Sequence, residues 1–114
     1  MVPRRLQRLP AHVLDGGLVV HVAVSLRARL LGLAFMRAPP PPGHALLIPD
    51  CSSVHTFGMR FPLDVVFLDL RGRELRVERC VGQGRVLSCR GAAAVLEIPS
   101  PPPPRGARAG GSGP

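Results

Sequence analysis

The sequence predicts a mainly β protein: a small β-sandwich or partly open barrel with one short helix. Three observations predict it. Short apolar runs recur as far as Ile98, separated by glycine, proline and aspartate turn signals. Helical spacing of apolar residues shows in one segment, 26–36. The chain, at 114 residues, is one domain at most, with a modest core.

Residues 1–8 (MVPRRLQR) read as a loose basic leader, and 9–98 as the single domain. AHVLDGGLVVHVAVSL predicts a hairpin around Asp15-Gly16-Gly17, because Asp-Gly tolerates positive φ. In its second arm Leu18, Val20, Val22 and Val24 share one face. Val19, His21, Ala23 and Ser25 share the other, and His21 reads as a surface or pairing histidine rather than a ligand. In SLRARLLGLAFMR the leucines 26, 30 and 33 recur at i, i+4 and i+7, and Ser25 suits an N-cap. The spacing predicts a helix over 26–36, weakened by Gly32 and stopped by the prolines of APPPPGH.

HALLIP (44–49) reads as a buried strand. LDVVFLDL (63–70) is apolar on both faces, which marks a central strand. Arg71-Gly72 turns the chain into RELRVERCV (73–81), with Leu75, Val77 and Val81 inward. RVLSC (85–89) and AAAVLEI (92–98) supply two more strands. The composition from Pro99 onward cannot bury apolar area, so 99–114 reads as a disordered tail.

The net charge of +8 comes from arginine alone. The arginines are scattered, and four phenylalanines with no Trp or Tyr supply little base stacking, so nucleic acid is an unlikely partner. Three cysteines without a CxxC pair argue against a disulfide framework and suit a reducing compartment. No apolar run reaches the length of a membrane span. These features predict a soluble cytoplasmic protein with no membrane contact.

The stretch CSSVHTFGMRFPLDVVFLD (51–69) concentrates the chemistry. His55, Met59, Arg60 and Asp64 are the candidate ligand-binding residues, placed at the mouth of the sandwich to meet a small molecule or a protein partner. Cys51 and His55 have C-x3-H spacing, a partial zinc site to which His44, Asp50 or Asp64 could add. Cys51, His55 and Asp64 also supply the residue types of an activated thiol, though no glycine-rich turn frames Cys51. The structural alternative pairs Asp64 with Arg60 and ties His55 to backbone. P-loop, dinucleotide-binding and nucleophile-elbow motifs are absent.

GLAFMR, PPGHALLIPDCSSVHTFGMRFPLDVVFLD and AAAVLEIP together resemble the prokaryotic family called domain of unknown function 192. The likeness runs from about Val13 to Pro99. Many members carry Trp-Met-Lys-Asn-Thr in the corresponding place; this chain is similar to a His-Thr-Phe branch in which Met59 and Arg60 match the Met-Lys pair. The resemblance implies a compact, jelly-roll-like β fold and brings no established activity. Many members continue past the Val-Leu-Glu-Leu strand into a closing strand. Here Ile98 leads into prolines, which predicts an open sheet edge.

Overall fold

The computed structural model describes residues 2–101, so all of the expected tail beyond Pro101 lies outside the described residues. The fold is mainly β. Among the described residues eight strands, β1 (Ala11–Val13), β2 (Val19–Val22), β3 (His44–Pro49), β4 (Ser53–His55), β5 (Leu63–Leu68), β6 (Glu74–Val81), β7 (Val86–Ser88) and β8 (Ala94–Pro99), join two short helices, α1 (Arg4–Gln7) and α2 (Leu26–Leu31). Six strands form one sheet in the order β1-β2-β3-β8-β5-β6, and β4 pairs with β7 in a second, two-stranded sheet. The sheets do not close into a barrel, as expected of an open sandwich.

The hairpin at Asp15-Gly16-Gly17 forms, with both glycines at positive φ and β1 antiparallel to β2. β2 and β3 run parallel. A parallel pair needs a crossover, and α2 lies within it. Ser25 caps α2 by accepting the Ala28 N–H at 3.0 Å. The helix is shorter than expected: it stops at Gly32, whose φ of 55° and ψ of −129° leave helical space.

β5 is the central strand, buried on both faces between β8 and β6. Its partner β6 is an edge strand, and Leu75 there is exposed rather than inward. A bulge interrupts this pair: Leu63 faces Val81 and Val65 faces Glu78, so Arg79 and Cys80 together oppose Asp64. Cys80 takes the left-handed conformation that the bulge requires, with φ 53°.

Two expectations change at the ends of the domain. The leader is helical at residues 4–7, and Leu6 is buried in the core. Arg5 anchors it by donating to the carbonyls of Gly32 and Ala34. At the other end β8 runs through Pro99, and the Ser100 N–H donates to Pro62 O at 3.0 Å. Both additions hide apolar or backbone surface that the local composition does not advertise. The core between the sheets contains Leu33, Leu46, Ile48, Val54, Met59, Leu63, Val65, Phe67, Leu87 and Val95. No helix among the described residues is long and apolar enough to cross a membrane.

Candidate functional site

β8 carries an acid where the pattern asks for a core residue. Val95 and Glu97 face the same way, and Glu97 stands in register between Leu46 of β3 and Val65 of β5. Leu46, Val65 and Val95 are all buried, and Glu97 itself is 1% exposed. Burial pushes its carboxyl up to about 7, against the opposing pull of the Leu33 backbone N–H. Its Oε1 has no hydrogen-bond partner. A buried polar atom without a partner is costly, and it points to something that completes it.

Glu97 faces a cavity of about 240 Å³ under α2. Arg29, Leu30 and Gly32 form its roof; Ile48, Val54 and His55 line the sheet side. The Arg29 guanidinium donates from Nη2 to Asp50 O at 2.9 Å, while its Nε is buried without a partner. Glu97 and Arg29 form no ion pair with one another among the described residues. A carboxyl and a guanidinium thus share one cavity, each with an unfilled hydrogen bond.

The rim is largely apolar. Leu30 and Val86 line the cavity yet are 61% and 62% exposed. Phe57 stacks on His55 with ring centroids 5.7 Å apart. Outside this lining, Phe35 lies over Gly58 and takes φ 65°, a conformation that costs a bulky residue free energy. Asp50, whose carbonyl holds Arg29, is also left-handed at φ 52°.

The residues singled out from sequence do not gather at one site. His55 and Cys51 line the cavity; Met59, Arg60 and Asp64 do not. Met59 is a core residue, 2% exposed. Arg60 is exposed and makes no ion pair among the described residues. Asp64 is held elsewhere: its Oδ1 accepts the Cys80 N–H at 2.9 Å and the Ser100 hydroxyl at 2.8 Å, and Arg79 approaches Oδ2 at 3.5 Å. The expected Arg60 partner is replaced by the bulge and by the residue after β8.

His55 is a clip between β4 and α2. Its Nδ1 accepts the Phe57 N–H at 3.2 Å, which places the ring proton on Nε2, and Nε2 donates to Leu30 O at 2.9 Å. Both nitrogens are therefore in use. The Cys51 thiol donates to Ser53 O at 3.0 Å. Among the described residues no three His, Cys, Asp or Glu side chains come together as a metal site. Thr56, fully buried, accounts for another part of the motif: its hydroxyl donates to Gly82 O at 2.7 Å and accepts the Arg85 N–H at 2.8 Å, fixing the Gly-Gln-Gly loop.

Known proteins bear on this arrangement. The model of DUF192, a family described as uncharacterized ACR, matches residues 12–101. The chain belongs to the DUF192 family. No curated protein matches it. Among solved structures, this DUF192 chain is similar to a putative transcription regulator from Sinorhizobium meliloti, with a TM-score of 0.65 and 22% identity over 79% of this chain and 78% of that one. It is also similar to a protein of unknown function from Novosphingobium aromaticivorans, with a TM-score of 0.63 and 18% identity over 88% of each chain. At these identities the likeness shows the fold alone.

Sequence reasoning missed Glu97 and Arg29. Strict alternation along AVLEIP sends Ala94, Leu96 and Ile98 inward and Glu97 to solvent. The structure has the opposite phase. The signal available was weak: Glu97 is the lone acid in an apolar strand that can be covered on both faces.

Proposed function

We propose that this DUF192 protein is a small-molecule-binding domain whose site is the cavity between α2 and strands β3, β4 and β8, and that it acts by binding rather than by catalysis. The observation that carries this reading is Glu97: a carboxyl with Oε1 unpartnered, buried in the core row, on a residue that lines a cavity. Concave, mostly apolar sites with a few convergent polar groups are where ligands bind. The zinc reading loses support because His55 and the Cys51 thiol are both spent on backbone carbonyls.

A thermal-shift screen of the purified chain against nucleotides, sugars, organic acids, amino acids and divalent metals tests this. A binder raises the melting temperature in proportion to the logarithm of its concentration over Kd. The expected result is a class of small organic ligand whose shift disappears in Glu97→Gln. Shifts that survive in Glu97→Gln and in Leu30→Ala alike would place binding elsewhere.

A further inference from the structure

The cavity holds two unfilled hydrogen bonds of opposite character. Glu97 Oε1 lacks a donor, and Arg29 Nε lacks an acceptor. Neither can turn to the other without loss. Arg29 is tethered through Nη2 to Asp50 O, and Glu97 is wedged against the α2 terminus, where even a Cβ on Gly32 would lie 2.6 Å from Oε1. One occupant that offers an acceptor and a donor on the same end would complete both.

The remaining walls set the rest of that occupant. Leu30, Ile48, Val54 and Val86 offer only hydrocarbon. At about 240 Å³ the space exceeds the cavity of about 150 Å³ that admits benzene, so a short alkyl body fits. A guanidinium in a partly dry site favours an anion as its acceptor. The net charge of +8 raises the local concentration of anions around the chain.

We infer that the ligand is a small amphipathic acid: a carboxylate on Arg29, a neighbouring N–H or O–H on Glu97, and an alkyl body against Ile48, Val54 and Leu30. The inference rests on the cavity being the binding site. Aliphatic α-amino acids and α-hydroxy acids share this chemistry, and the donor that Glu97 prefers separates them.

Calorimetric titration of the full chain with four probes that share one isobutyl side chain tests the assignment. L-Leucine carries carboxylate and ammonium, 2-hydroxy-4-methylpentanoate carboxylate and hydroxyl, 4-methylpentanoate only the carboxylate, and 3-methylbutylamine only the ammonium. The expected result is saturable binding of leucine or the hydroxy acid, with both single-group probes at least tenfold weaker. Arg29→Met should weaken the bound acid at least tenfold, and Glu97→Gln should shrink its advantage over 4-methylpentanoate. The four-probe comparison on the unaltered chain stands even if a variant misfolds. Equal binding of 4-methylpentanoate would overturn the donor contact. If none of the four binds while another compound gives a Glu97-dependent thermal shift, the acid assignment fails and the cavity reading stands. If no compound gives such a shift, both fail.

Discussion

A Cβ built on Gly32 lies 2.6 Å from Oε1 of Glu97 and 3.3 Å from Oε2. The end of α2 and the buried carboxyl of β8 therefore touch through a residue with no side chain, and Gly32 holds φ at +55°. Gly32→Ala should strain the backbone and crowd the carboxyl together. Overpacking of this kind typically costs about 1–3 kcal/mol. Combining it with Glu97→Ala should fall short of additive, because the second change removes the clash. Urea denaturation of the two single variants and the double variant measures this. Strict additivity would mean that the two residues do not meet.

Glu97 also makes stability depend on pH. Its folded carboxyl stands at about 7, above the ordinary 4.5, so between those values the folded chain binds the extra proton. Stability should then fall as pH rises from about 4.5 to 7, by roughly 3 kcal/mol for a shift of this size. His21 opposes it: burial and the adjacent His44 ring push its imidazole down, so its contribution is lost as pH falls below the ordinary histidine value. Subtracting the pH profile of Glu97→Gln from that of the unaltered chain isolates the carboxyl. A difference that does not change between pH 4.5 and 7 would contradict its burial.

Asp64 belongs to the fold, and its partners rank by exposure. Arg79 is 74% exposed at the side chain, so Arg79→Met should cost at most about 1 kcal/mol. Arg60→Met should be nearly neutral, within about 0.5 kcal/mol. Asp64→Asn keeps an acceptor for the Cys80 N–H and Ser100 hydroxyl but removes the charge that strengthens both contacts, and should cost about 1–3 kcal/mol. The same contacts predict that a chain ending at Ile98 melts below a chain ending at Pro101. Equal melting temperatures would mean that Ser100 holds nothing.

His55→Ala should cost about 1–2 kcal/mol, since it breaks the bonds to Leu30 O and from the Phe57 N–H. Protein purified without an affinity tag should carry far less than one zinc per chain. Stoichiometric zinc lost in His55→Ala would show instead that the ring leaves its backbone partners for a metal.

The elements of this fold were legible where one face decides the pattern. The Asp15-Gly16-Gly17 hairpin, the Ser25 cap and the two-sided burial of β5 all follow from local chemistry. Leu6 and Ser100 were not legible, because each is recruited by contacts far along the chain. The site was legible only in part. Cys51 and His55 reach the cavity, but Asp64 looked like their companion only because it is near in sequence. Glu97 and Arg29 lie on other elements, and only the approach of Gly32, at the end of α2, to Glu97 brings them together.

The central claim is that a ligand enters the cavity under α2 and meets Glu97. Amide chemical-shift mapping by NMR, with a cocktail of small organic acids, amino acids and neutral fragments added to the labelled chain, tests it most directly. The account predicts saturable shifts centred on Gly32, Leu33, His55 and Glu97, absent in Glu97→Gln. Shifts centred on Arg60 and Asp64, or none anywhere at millimolar fragment, would contradict it.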